Sequence, residues 1–376
     1  APVAGDNLVF PAIVTASDKA TNNNFAVNTD FAGLAFSASD YSVAGNEFDL
    51  VSGGIVLSYS SGTTTITPVI RLTGAGQSFD TGIDKPQLTT GALNLNGNSL
   101  ILNGFGTVEI GGNIVNSVGT PTITKLGAGK AVLGGFNNFS GNVLVNVGTL
   151  FADGFVAGAG TVTVAAGATL AGSNGGITKT TTVSGTLAPG SVADSTQSMN
   201  FETLTFASTS TTKKLLLNIL GTTAGTNHDQ VEIGSATTLD SAALELDFGP
   251  FVPAIGQVFT LINNTSAGAI SGTFSGIANA SSSIHDGQNL RFSYVGGTGN
   301  DFTATVLNAL PVAAAQSVST NEDTALPITL TATDANGQAL TYSIVTNPTR
   351  GVLTGSGTSR TYTPNANLSG PDSFTF

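Results

Sequence analysis

The sequence predicts an all-β protein, a β-solenoid followed by a small antiparallel β-sandwich. Three observations predict it. First, a glycine-led phrase of alternating β-formers returns at Gly106-Thr107-Val108-Glu109-Ile110, Gly129-Lys130-Ala131-Val132-Leu133, Gly148-Thr149-Leu150-Phe151, Gly167-Ala168-Thr169-Leu170 and Gly185-Thr186-Leu187, with glycine spacings of 23, 19, 19 and 18 residues. A repeat near 20 residues without helical patterning cannot bury its apolar face one turn at a time, so the turns must stack. Second, 48 glycines and a wealth of Thr, Ser and Asn punctuate the 376 residues, while only 9% are charged and 40% are hydrophobic. That mix suits short strands and tight turns in an ordered chain. Third, the composition shifts at Leu307-Asn308-Ala309-Leu310-Pro311-Val312-Ala313, a Pro-bearing linker. Two domains follow, 1–307 and 308–376.

In residues 1–105, the segments Leu8-Val9-Phe10, Leu34-Ala35-Phe36, Tyr41-Ser42-Val43, Phe48-Asp49-Leu50 and Ile55-Val56-Leu57 alternate with period two and are expected as strands, with Gly45-Asn46 and Ser52-Gly53-Gly54 as turns. Leu93-Asn94-Leu95-Asn96-Gly97 echoes Leu100-Ile101-Leu102-Asn103-Gly104, and the Asn-Gly ends tolerate positive φ. These asparagines are expected to stack in ladders at the bends.

The clearest repeats lie in 106–200. The stretch Leu126-Gly127-Ala128-Gly129-Lys130-Ala131-Val132-Leu133-Gly134-Gly135-Phe136-Asn137-Asn138-Phe139-Ser140-Gly141, followed by Val145-Asn146-Val147-Gly148-Thr149-Leu150, resembles the autotransporter-associated β-strand repeat, with Phe136–Gly141 as the bend. Gly5-Asp6-Asn7-Leu8-Val9-Phe10-Pro11, Gly185-Thr186-Leu187-Ala188-Pro189-Gly190, Asp229-Gln230-Val231 and Phe259-Thr260-Leu261-Ile262 extend the resemblance over about the first 300 residues. It implies a right-handed parallel β-helix, secreted by bacteria and displayed at the surface. Further on, Lys213–Leu220 is too short for a helix and is expected as a buried strand. Ala243-Leu244-Glu245-Leu246-Asp247-Phe248 and Phe292-Ser293-Tyr294 are expected to close the solenoid.

Beyond the linker, Asn321-Glu322-Asp323-Thr324, Ile328–Asp334, Leu340-Thr341-Tyr342-Ser343-Ile344, Gly351-Val352-Leu353 and Thr361-Tyr362-Thr363-Pro364 place strands and turns about 10 residues apart, the spacing of a sandwich. Residues 308–376 resemble bacterial cadherin-like, immunoglobulin-like modules. Such modules continue past Asp372-Ser373-Phe374-Thr375-Phe376 into another strand, so this one is read as incomplete, with the strand supplied by a longer chain or by a neighbour through β-augmentation.

Composition excludes some functions. A net charge of −12 with no Lys/Arg cluster argues against nucleic acid. No apolar run approaches the ~20 residues of a membrane helix, and the end of the sequence lacks the alternation of an outer-membrane barrel, so no membrane insertion is expected. The start, Ala1-Pro2-Val3-Ala4, looks like a mature terminus left by signal cleavage. Cysteine is absent, which a core of this size tolerates outside the cell. A secreted, extracellular or cell-surface location is expected.

Candidate chemistry is sparse. His228 and His285 lie in polar turns beside Asp229 and Asp286 and are expected to be solvated, without a nucleophile in a recognisable context. Polysaccharide hydrolysis or lysis on a β-helix needs clustered carboxylates. Residues 106–200 hold only Glu109, Asp153 and Asp194, while Glu232, Asp240, Glu245 and Asp247 lie closer together, the pair Glu245/Asp247 as the wet face of a strand. No enzyme is expected. Gly296-Gly297-Thr298-Gly299-Asn300-Asp301 matches one copy of a calcium nonapeptide, which needs tandem copies, and is expected as a simple turn. The resemblance to cadherin-like modules makes Glu322, Asp334, Asn336 and Asp372 candidate calcium ligands, with Asn336 in place of an acid. The expected role is structural: a self-assembling filament, sheath or layer subunit that forms a homopolymer through inter-subunit strand pairing, with a surface glycan or protein as candidate ligand. The alternatives are a monomeric adhesin or autotransporter-type passenger and, third, a polysaccharide-active enzyme.

Overall fold

The computed structural model describes residues 5–12, 19–173, 175–190 and 196–376. The expectations placed on Ala1–Ala4 and on Asp194 lie outside the described residues. No α-helix occurs among the described residues. The chain divides into two compact units. The first comprises the chain up to Phe251 with Val258–Ser283 and Arg291–Ala304; the second comprises Val252–Gln257, Ile284–Leu290 and Thr305–Phe376.

The first unit is a parallel β-solenoid. One turn shows how the repeat becomes structure. Thr107–Ile110 forms face one, Ile114–Val115 face two and Ile123–Lys125 face three. The chain then returns to face one as Lys130–Leu133, in register Thr107↔Lys130, Val108↔Ala131, Glu109↔Val132 and Ile110↔Leu133. The repeated Gly-led phrases are therefore the face-one strands, and this face is an 11-stranded sheet running from Ala20–Asn23 to Ala243–Asp247. Faces two and three merge into one 21-stranded sheet, because long strands such as Thr29–Phe36, Phe48–Leu57 and Ser198–Phe206 cross the corner between them.

Registration makes columns of like residues. Leu88, Val108, Ala131, Leu150, Leu170, Leu187, Leu215 and Leu244 succeed one another turn by turn, and all are buried. Each such leucine contributes about 1.5–3 kcal/mol when fully buried. No single turn could enclose this column, which is why stacking and folding are one event.

Several expectations are corrected. Ser52-Gly53-Gly54 is no turn; it lies inside the continuous strand Phe48–Leu57. Its pairing with Thr29–Phe36 slips there: Leu50 faces Phe31 and Gly54 faces Gly33, so the extra residues lie at Val51–Gly53 and a bulge does the work assigned to a turn. Phe136–Asn138 is a face-two strand, and the bend follows it. Asn137 is buried there: its Oδ1 accepts from Ile114 N of the preceding turn (3.2 Å) and its Nδ2 donates to Gly134 O (2.6 Å). Asn94, Asn96 and Asn103 do not stack in a ladder: Asn94 lies between Arg71 and Val115 and accepts from Asn96 N, and Asn103 donates to Asp80 Oδ2. Other asparagines do link the turns at the corners. Asn113 Oδ1 accepts from Phe136 N, Asn116 Oδ1 from Gly97 N and Asn142 Oδ1 from Thr161 N, each linking adjacent turns. Lys214–Asn218 is the expected buried strand, and Glu245 and Asp247 do face solvent from Ala243–Asp247.

The second unit carries two small antiparallel sheets. Leu326–Thr329, Ser359–Pro364 and Gly351–Ser356 form one, with the middle strand hydrogen-bonded on both sides. Val312–Ala313 pairs with Ala332–Thr333 in the other. The expected strand Ile328–Asp334 is thus split between two sheets. Among the described residues Leu340–Ile344 and Asp372–Phe376 form no ladder, and the pairing near them is the bridge Thr346↔Thr375. Alternation made these segments look like strands, but a strand also needs a hydrogen-bonded neighbour along its length. Gln288 and Asn289 belong to this unit: Gln288 Oε1 accepts from Asn336 Nδ2 and Asn289 Nδ2 donates to Asn308 O.

Candidate functional site

The first described turn of the solenoid is built differently from the rest. Asn7–Phe10 pairs with Thr29–Phe36, and Ala20–Asn23 pairs with Ser42–Gly45. Among the described residues each has a neighbour on one side only. Between them opens a cleft of about 380 Å³ lined by Leu8, Phe10, Phe25, Phe31, Leu34 and Phe48. Phe10 stacks on Phe36 with centroids 4.3 Å apart, and Phe31 meets Phe48 edge-on at 5.8 Å. Val9 points outward and is 66% exposed. A parallel edge with an apolar interior behind it is the surface that every later turn covers with its successor, and unpaired edges template further strands.

Sequence reasoning missed the corner lysines. Lys125 and Lys179 are 2% and 1% exposed. Lys179 Nζ donates to the carbonyls of Phe139 (2.7 Å), Gly141 (2.9 Å) and Ala159 (2.7 Å), which belong to earlier turns. Lys125 Nζ donates to Leu126 O and Gly127 O and reaches Val147 O of the next turn. Burial pulls both pKa values down to about 8. Lys213 repeats the arrangement on Ala207 O, with Asp240 at 3.5 Å. At Lys179 three ammonium donors meet three carbonyls at the corner, of which Ala159 O also accepts from Gly141 N. A signal existed in the sequence. Lys125 occupies the position that Leu102, Val145, Val164, Val183 and Phe206 fill in other turns, an inward position.

The four candidate calcium ligands do not converge. Glu322 and Asp372 border one cleft of the second unit, whereas Asp334 borders another. Asp372 accepts from Thr349 N (2.9 Å), Arg350 N (2.8 Å), Tyr362 OH (2.9 Å) and Ser373 N (3.0 Å). Desolvation pushes its pKa up, but these hydrogen bonds outweigh it and hold the carboxyl at about 2. Asp334 Oδ1 accepts from Asn336 N and Gln338 N. Asn336 Oδ1 accepts from Ala309 N. Protein donors thus already engage Asp372, Asp334 Oδ1 and Asn336 Oδ1. No group of three or more His, Asp or Glu suited to a metal occurs among the described residues.

His228 is buried, not solvated: it is 2% exposed and meets the Phe259 ring edge-on at 5.3 Å. Burial lowers its pKa, partly offset by the backbone of Gly221 and Thr260. His285 ends the strand Ser282–His285, half-buried, and burial lowers its pKa also. The Gly296–Asp301 phrase is a turn, closed by Gly299 N on Gly296 O. Asp301 locks it, accepting from Thr298 N (2.9 Å) and from Asn264 N of a neighbouring strand (2.8 Å). Glu232 and Glu202 border a cleft on face two, while Glu245 pairs with Lys214 on face one at 2.7 Å. The acids are therefore spread over different faces.

A parallel β-solenoid together with an immunoglobulin-like module suggests a surface or adhesin-like structural protein. Residues 308–376 match the bacterial Ig domain family (Big_9). No curated protein and no solved structure matches the chain. No helix among the described residues is long and apolar enough to cross a membrane.

Proposed function

We propose that this chain is a non-enzymatic building block of an extracellular bacterial assembly, in which solenoids associate end to end. The observation that carries the reading is the first described turn. Among the described residues its strands Asn7–Phe10 and Ala20–Asn23 are paired on one side only, beside an apolar cleft. The best complement to such an edge is another parallel turn of the same kind, because the columns of the solenoid are selected for that contact. Each added backbone hydrogen bond contributes about 0.5–1.5 kcal/mol net. The bacterial Ig domain supports display outside the cell.

Negative-stain microscopy and sedimentation of the full chain test the proposal. Filaments or sheets that grow with concentration, and that Leu8→Lys abolishes by placing an ammonium in the apolar cleft, are expected. Single rods at all concentrations would instead favour the monomeric adhesin.

A further inference from the structure

Face two carries a second feature that end-to-end association does not use. In successive turns one outward column reads Phe136, Phe155, Gly176, Asn200, Glu232 and Asn263. Phe136 and Phe155 stack at 5.0 Å with planes 9° apart, and Phe136 is 50% exposed. The ring of Phe155 lies over Gly176, where a Cβ would come within 2.6 Å of it, so the glycine is what lets the ring lie down. Beyond the ring opens a cleft of about 370 Å³ bordered by Phe155, Thr178, Asn200, Glu202, Glu232 and Thr265.

Glu202 borders this cleft two residues after Asn200, on the same outward side of the strand and beside a β-bulge. The pairing of Ser198–Phe206 with Gln230–Thr238 slips between Phe201 and Thr203, setting Glu202 opposite Gly234 and Ser235. Asn200 Oδ1, sunk in the cleft wall, has no donor from the protein.

We propose that the column from Phe136 to Asn263 is a binding strip for a neutral, extended glycan. The chemistry of the lining selects the ligand class. Aromatic carbon beside polar groups suits a pyranose, which has apolar C–H faces edged by hydroxyls. The two carboxylates only accept hydrogen bonds, whereas the asparagine amides also donate. A hydroxyl answers both kinds of group; a guanidinium or ammonium answers only the acceptors. An acidic polysaccharide would meet Glu202 and Glu232 as like charges on a chain of net charge −12. Finally, the strip repeats with the turn spacing of about 4.8 Å, close to the advance per sugar of an extended glycan. Binding on this flank requires no assembly, so it stands apart from the end-to-end reading.

Isothermal titration of the full chain with cellohexaose, xylohexaose and chitohexaose tests the strip, with polygalacturonate and hexa-arginine as comparisons. At least one neutral hexasaccharide is expected to bind. Phe136→Ala and Glu232→Gln should each weaken it tenfold or more, while Glu245→Gln on face one leaves it unchanged. Circular dichroism and melting identify folded variants, and Glu232→Gln, a near-isosteric change, carries the test if Phe136→Ala does not fold. The proposal is overturned if none of the three hexasaccharides binds, or if binding survives substitution in the folded variants. Binding of hexa-arginine or polygalacturonate alone would also overturn it, the first assigning the strip to a cationic peptide.

Discussion

Lys179 Nζ lies 4.5 Å from the centroid of the Phe139 ring and hydrogen-bonds the carbonyl of that same residue, 40 positions earlier in the chain. One side chain thereby ties its own turn to two preceding ones through Ala159 and Gly141 as well. Lys179→Met keeps the apolar stem and removes the donors. The Ala159 carbonyl retains its bond from Gly141 N, but those of Phe139 and Gly141 lose this donor. Stranding buried acceptors costs about 1–3 kcal/mol each. A loss of about 2–5 kcal/mol in unfolding free energy is expected, read by denaturant melts; a change within 0.5 kcal/mol would show that the ammonium contributes nothing at the corner.

Glycine matters for two separable reasons, and two positions separate them. Gly148 and Gly167 lead successive repeats, with φ of +73° and +81°. At Gly167 a Cβ meets nothing within 4 Å, so Gly167→Ala should cost only left-handed backbone strain, about 1–2 kcal/mol. At Gly148 a Cβ would come within 2.6 Å of the Gly127 carbonyl and 2.9 Å of Lys125 Nζ. Gly148→Ala should therefore destabilise by several kcal/mol, because it also dislodges the Lys125 ammonium. Equal melting shifts for the two variants would reject this account.

The contrast between these glycines also shows what a sequence displays and what it conceals. The return of glycine every 18–23 residues is a chain-level pattern, and it fixed the face-one strands from Thr107–Ile110 onward. Lys125 was legible only by aligning turns, since a lysine among polar neighbours otherwise suggests solvent; its column partners Val145 and Val164 reveal the inward position. His228 misled for the same reason, as Asn227 and Asp229 look like a wet turn although the ring packs on Phe259. Leu340–Ile344 alternates well, but pairing depends on a partner that no local pattern encodes. The glycan strip was equally hidden: Phe136, Gly176 and Glu232 come together only through register.

The buried histidine predicts an acid-side slope in stability. Burial sets the folded pKa of His228 below the unfolded value of about 6.5. As pH falls below 6.5 the unfolded chain binds a proton that the folded chain resists, so stability falls, by at most about 1.36 kcal/mol per pH unit for one group. His285 shifts in the same direction. Unfolding free energy measured from pH 6.5 to 5, above the carboxylate range, should decline, and His228→Leu should make the decline shallower without removing it. An unchanged slope in that variant would place the titration elsewhere.

Asp372 predicts a further loss of stability in the same direction at lower pH. Its carboxyl, held at about 2 against an ordinary value of 3.8, favours the folded module wherever it is ionised. The contribution is fully present above about pH 4 and is lost as pH falls towards 2. Desolvation opposes this ionised state, and donors from Thr349, Arg350, Tyr362 and Ser373 overcome it. Tyr362→Phe deletes one donor and leaves the ring, so the carboxyl should titrate at a higher pH than in the parent chain. Carbon-13 NMR of the Asp372 carboxyl reads this directly, and Asp372→Asn should remove the corresponding loss of module stability between pH 4 and 2. If the midpoint stays at the parent value in Tyr362→Phe, the phenol does not hold the carboxylate, and the backbone donors alone account for its acidity.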